Sequence, residues 1–326
     1  MFPKTIYNRI GCNMRKNNNL IRRMVLLICL GTLVCFSHVE SGEIPVLTEQ
    51  DDGVPTAASR HSWEERQLRA AGFGVTEEKL RSALQTESDW TRILALRVIK
   101  DQRTKALTAV VQQQLESPSP FVRVEAGMTL VALSNPQGQN ALRREVARGQ
   151  ELAKSTLTGS GPPFKEVGLS IRVLLQAAGA LLETGDDSGM EFLKLALFEL
   201  PHPGMQTAAA IELTKCKSNC LVAEELLLRA AKTAVTSVST ASDDIGKVEY
   251  SESKRAKIYR MKIIFRSLAK IGGARAIELL SEAASYPDML VKEPAKLYLN
   301  VLQARMASHN KLQQDDADPA IKGSNP

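Results

Sequence analysis

Aromatic side chains are scarce in this 326-residue chain, at 5% of residues with only two tryptophans. Base-stacking platforms and an aromatic-rich barrel are therefore poor readings. Histidine is scarcer still. His38, His61, His202 and His309 are the only four, and none has another His or a Cys at ligand spacing. A zinc centre needs convergent ligands, so no metal and no other cofactor is expected. Of the five cysteines, Cys12, Cys29 and Cys35 fall in the first 37 residues, leaving Cys216 and Cys220. A chain of this length with at most one bridge must be held by an apolar core rather than by disulfides. With 44% hydrophobic and 24% charged residues and a mean hydropathy of −0.15, composition excludes a disordered chain, a collagen and a multispan membrane protein.

The net charge of +6 suggests a nucleic-acid partner until it is located. Lys4, Arg9, Arg15, Lys16, Arg22 and Arg23 carry it within residues 1–37, which hold no Asp or Glu, and the remaining 36 basic residues match 36 acidic ones. Nucleic acid is disfavoured on that ground. Behind Arg22-Arg23, Met24 to Phe36 forms a 13-residue, mostly apolar run. That is shorter than the roughly 20 residues a spanning helix needs, and it has the form of a secretory signal peptide. The expected cut lies between Ser37 and His38, with Ser41 before Gly42 as a second candidate. An uncleaved anchor and a lipidated Cys35 are the competing accounts; bulky Val34 counts against the latter.

From Thr76 onward apolar residues recur three and four apart, interrupted by Gly, Pro, Asn and Asp, the pattern of consecutive short helices. One template repeats. Val122, Ala126, Leu130 and Leu133 share their spacing with Val291, Ala295, Leu299 and Leu302, and with Met205, Ala209, Leu213 and Cys216. Ile264, Leu268 and Ile271 match its last three positions, Val173, Ala177 and Leu181 its first three, and Ala95 with Ile99 is a fainter copy. This spacing places each set on one helical stripe. A second helix follows at a fixed distance, with Leu142, Leu193 and Leu280 each 12 residues after a stripe leucine. Ser134-Asn135-Pro136, Gly185-Asp186-Asp187 and Gly272-Gly273 break the chain between them. Stepping through Ala95, Ala126, Ala177, Ala209, Ile264 and Ala295 gives intervals of 31, 51, 32, 55 and 31 residues. The long intervals imply surface insertions near 149–165 and 235–253. A helix pair cannot bury its apolar face alone, so about six stacked pairs imply a solenoid.

Val122-Arg123-x-x-Ala126-x-x-x-Leu130 and Val291-Lys292-x-x-Ala295-x-x-x-Leu299 resemble the HEAT-repeat family, in its short bacterial form related to phycobilisome-lyase repeats. Residues Ala177 to Leu193 fit the same mould. The resemblance covers about residues 76–307 and implies an all-α fold, a right-handed α-α superhelix. Thr91, Arg260 and Pro294 depart from the motif, and Pro294 is tolerable in a first helical turn. The expected organisation is a signal peptide over 1–37, a flexible linker over 38–60, the HEAT-like solenoid over 61–307 and a disordered tail over 308–326.

Possible sites are few. Gly185-Asp186-Asp187-Ser188-Gly189 reads as an inter-helix turn, with Asp187 or Ser188 capping a helix that starts at Met190. Ser251-x-x-Lys254 is a chance match to a Ser–Lys pair. Lys254, Arg255, Lys257, Arg260 and Lys262 form a basic cluster that suits an acidic partner or anionic head group, or else a solvated face beside Asp243, Asp244, Glu249 and Glu252. Cys216 and Cys220 could bridge, yet Cys216 sits on the stripe, so a buried thiol competes. The expected function is that of a non-enzymatic, exported scaffold holding a protein partner on a concave surface built from the second helices. Arg97, Lys100, Arg123 and Glu125 are candidate contacts there, unless they form ion pairs inside the stack. The resemblance also implies a second reading, a lyase-like accessory enzyme attaching a tetrapyrrole to a partner. A third is an envelope protein binding anionic lipid through residues 254–262. Membrane contact is otherwise expected only through the leader.

Overall fold

The computed structural model describes residues 57–218, 220–240 and 254–317, with side chains described from Trp63 to Ser308. The chain divides into two units, Met1–Pro55 and Thr56–Pro326, and every helix below belongs to the second. The expected leader with its cut at Ser37 and His38, residues 38–56 of the linker, and the tail beyond 317 lie outside the described residues.

The described residues form thirteen α-helices and three short 3-10 turns, with no strand among them. They are α1 (Ala57–Ala70), α2 (Glu77–Leu84), α3 (Asp89–Gln102), α4 (Thr108–Gln113), α5 (Pro120–Ala132), α6 (Pro136–Leu157) and α7 (Phe164–Glu183). After them come α8 (Met190–Phe198), α9 (Pro203–Leu213), α10 (Cys220–Ser239), α11 (Lys254–Ile271), α12 (Ala274–Ala284) and α13 (Met289–Ala317). The protein is all-α.

Local chemistry explains most boundaries. Thr76 and Ser88 hydroxyls accept the N–H groups of Lys79 and Thr91, and the Asn135 side chain accepts that of Gln137, at helix starts. Pro120, Pro136 and Pro203 stand at first helical positions, where a missing N–H removes nothing. Arg103 and Ser134 close α3 and α5 in the left-handed region, with φ of 52° and 61°. The three breakers named from the sequence mark helix junctions, with Pro136 opening α6 and Asp187 opening the 3-10 turn before α8.

Alternate helices pack on one another in chain order. Each odd-numbered helix from α1 to α11 contacts the next odd-numbered one, while α2 meets α4, and α6, α8, α10 and α12 meet in succession. The six stripe-bearing helices are α3, α5, α7, α9, α11 and α13. Ala95, Ala126, Ala177, Ala209 and Ala295 are all fully buried, which lets these helices approach closely. Leu142, Leu193 and Leu280 on the second helices are also fully buried. The core forms two apolar clusters that meet at α5 and α6. Val122, Ala126, Leu130 and Ala141 face the cluster of α1 to α4, whereas Val124, Leu142 and Val146 face the cluster running on to Leu302.

Several expectations are corrected. The segment 149–165 is mostly helix, because α6 runs to Leu157 with Ala153 fully buried, leaving a loop only at 158–163. Val235 to Ser239 likewise complete α10 rather than begin an insertion. α1 begins at Ala57, inside the expected linker, and α13 continues to Ala317, inside the expected tail. Pro294 lies in the second turn of α13, not the first, and deprives the Leu290 carbonyl of its helical donor; Leu290 is exposed, so water can serve it. Neither Asp187 nor Ser188 caps α8, whose N-cap is Gly189 without a side-chain bond. Asp186 caps the preceding 3-10 turn, its carboxylate accepting the Ser188 N–H at 3.0 Å, while Asp187 accepts the Ser218 hydroxyl.

Candidate functional site

The sequence expectation put Arg97, Lys100, Arg123 and Glu125 on the second helices. They stand instead on the stripe-bearing helices α3 and α5, and they are joined to other helices of the stack. Glu125 is 4% exposed and receives Arg97 Nε at 3.1 Å and Lys100 Nζ at 2.8 Å. Burial alone would raise its carboxyl, but Lys100 and Arg97 more than reverse that and hold it below the ordinary glutamate range. Glu64 on α1 stands 3.7 Å from Arg97, and burial pushes its carboxyl up against that pull. Arg123 grips buried Glu145 on α6 with two parallel bonds of 2.9 Å and gives Nη1 to the Ser117 and Pro118 carbonyls.

The basic cluster opens α11. Arg255 is exposed, whereas Lys254 and Lys257 are half-buried, and Lys254 is engaged with another group. Arg260 turns inward to the Gln206 amide oxygen and the Ser237 hydroxyl. No bridge joins Cys216 and Cys220. Cys216 is buried at its stripe position, and the Cys220 thiol donates to the Cys216 carbonyl at 3.0 Å.

A groove that could receive a partner lies between α10 and α12, both second helices, with a volume of about 300 Å³. Its floor is apolar, from buried Leu228 and Leu279. Arg229 and Lys232 on α10 and Arg275 on α12 supply positive charge; Glu225, Glu278 and Glu282 supply negative charge. All six are exposed. One ion pair crosses the groove, Arg275 Nη2 to Glu225 Oε2 at 2.6 Å. The Arg229 guanidinium lies 3.8 Å over the Phe198 ring, which fixes its place at the wall. The signal for these residues was present as spacing. Glu225, Arg229 and Lys232 lie four and three apart, Arg275, Glu278 and Glu282 three and four, so each set shares a face. Only the packing of α10 on α12 brings the two sets together.

The groove suits an extended chain segment with charges of both signs flanking apolar side chains, since pairs of either sign can form over a floor that excludes water. Among the described residues no three His, Cys, Asp or Glu side chains converge as a metal ion would require, and no helix is long and apolar enough to cross a membrane. No protein-family model matches the chain, and comparison with curated proteins finds no relative.

Proposed function

We propose that this protein is a HEAT-like α-solenoid scaffold, a right-handed superhelix that works by holding a protein partner rather than by catalysis, and that its leader places it outside the cytosol. Two-layer packing supports the superhelix, since stacking that alternates odd and even helices is how repeat proteins extend a single core. The observation that carries the binding role is the groove between α10 and α12. It is an apolar floor with a double row of exposed charges on helices whose other faces are already buried. The partner seat thus moves from Arg97, Lys100, Arg123 and Glu125 to Arg229, Lys232, Arg275 and their acidic neighbours.

The test is paired affinity capture from cell-envelope fractions with wild type and with Arg229→Glu/Lys232→Glu. A protein retained by wild type and lost by the charge-reversed variant, with both melting at the same temperature, is the expected result. Retention of the same proteins by both variants, or enrichment of none over a control surface, overturns the reading.

A further inference from the structure

A second depression lies between the 3-10 turn at Gln114–Glu116 and helices α5 and α6. Its volume is about 130 Å³, and its charged walls are Arg123, Arg144, Arg148, Glu116 and Glu145 over Leu115 and Ala141. Arg123 and Arg148 meet here at the Glu145 carboxylate, which is only 4% exposed, and Arg144 lines the same wall. Arg123 spends its donors inward, on Glu145 and on the carbonyls of Ser117 and Pro118. Arg148 places Nη1 on Glu145 Oε1 and is otherwise exposed, at 58% of its side chain. Arg144 is exposed and makes no ion pair or side-chain hydrogen bond among the described residues.

Each guanidinium carries five N–H donors, so most of those of Arg148 and all those of Arg144 remain for a ligand. The two stand four residues apart on α6, where like charges repel, and Glu145 is already matched by Arg123. The remaining excess is two positive charges at the mouth of a small, fixed cavity. Glu116 at the exposed rim is the one other carboxylate among the described lining residues. From this we infer that the cleft binds a tetrahedral dianionic oxyanion, a phosphoryl group, with Arg144 and Arg148 as its ligands and the Arg123–Glu145 pair as the scaffold orienting Arg148. Guanidinium forks match phosphoryl oxygens in geometry and in charge. The inference does not depend on the groove between α10 and α12.

The experiment titrates the full chain with inorganic phosphate and with O-phosphoserine by calorimetry at low ionic strength. Wild type is expected to bind one equivalent, with affinity falling as salt rises. Arg144→Gln and Arg148→Gln are each expected to weaken binding by about tenfold or more, while Glu116→Gln, which removes the opposing charge, tightens it several-fold. Arg229→Gln in the other groove leaves it unchanged. Equal affinity for both probes assigns the site to the free ion, and tighter binding of O-phosphoserine assigns it to a phosphate ester. No binding by wild type overturns the inference, as does binding that both arginine variants retain, which marks an adventitious ion only. Arg144 is exposed and without an ion pair or side-chain hydrogen bond among the described residues, so its variant remains a valid test should Arg148→Gln destabilise the protein.

Discussion

Single buried acids show how one residue type acquires opposite roles. Glu125 sits between Arg97 and Lys100, which overcome the penalty of burial and keep it charged. A carboxyl held below its unfolded value contributes stability that is present above the ordinary 4.5 and is lost as pH falls through the folded value. Glu125→Gln should therefore destabilise the protein by about 2–3 kcal/mol at pH 7, and the difference should vanish in acid, as measured by urea titration at several pH values. Glu212 on α9 behaves in the reverse sense. Burial raises its carboxyl, and Lys215 at 2.8 Å only partly offsets this. A raised acid is a cost that appears as pH climbs from the unfolded to the folded value and is absent below 4.5. Glu212→Gln is expected to raise the melting temperature at pH 7 and to leave it unchanged at pH 4. A lower melting temperature at pH 7 would mean that the Lys215 pair outweighs the burial cost.

Between elements, contact distance decides which substitutions the packing tolerates. α5 and α6 cross so closely that a Cβ at Gly138 would meet Val131 N at 2.6 Å and Gly127 O at 2.7 Å. Both are backbone atoms and cannot rotate away. Alanine at this helical position would ordinarily stabilise, but here the crossing must open. Gly138→Ala should therefore cost about 1–3 kcal/mol, read from the urea midpoint at constant slope. A stabilised variant would show that the two helices can separate without loss. Phe192 on α8 is the opposite case, a large side chain with no exposed surface. Phe192→Ala is expected to cost about 3–5 kcal/mol by the same measurement, because neighbouring helices cannot collapse into the space.

For the whole molecule, the division of the core into two clusters has a measurable consequence. Helices that contact mainly their neighbours can open in segments, so unfolding need not be a single step. Both tryptophans, Trp63 on α1 and Trp90 on α3, meet edge to face at 6.2 Å on helices that give Leu68, Leu94 and Leu96 to the first cluster. Tryptophan fluorescence therefore reports that end alone, whereas far-ultraviolet circular dichroism reports all thirteen helices. The two denaturation curves should not coincide. Superimposable curves would show that the clusters unfold as one unit.

The helical class, the stripe with its small alanines and the turn positions were legible because each depends on residues within about two helical turns. Spacings of three and four mark a buried face wherever they occur. Helix ends were less legible: α6 and α10 continued through Ser- and Thr-rich segments because their apolar residues, such as Ala153 and Val238, found a core to enter. The roles of the charges were the least legible. Arg97 and Lys100 look like surface contacts until Glu125, 28 and 25 residues away, is brought against them. Arg229 and Arg275 look like ordinary helix-surface residues until α10 packs on α12. Periodicity, a local property, determined which side chains leave water. Which charges neutralise one another and which remain for a ligand was decided only by the tertiary structure, because an electrostatic partner is chosen by distance in space and not by distance along the chain.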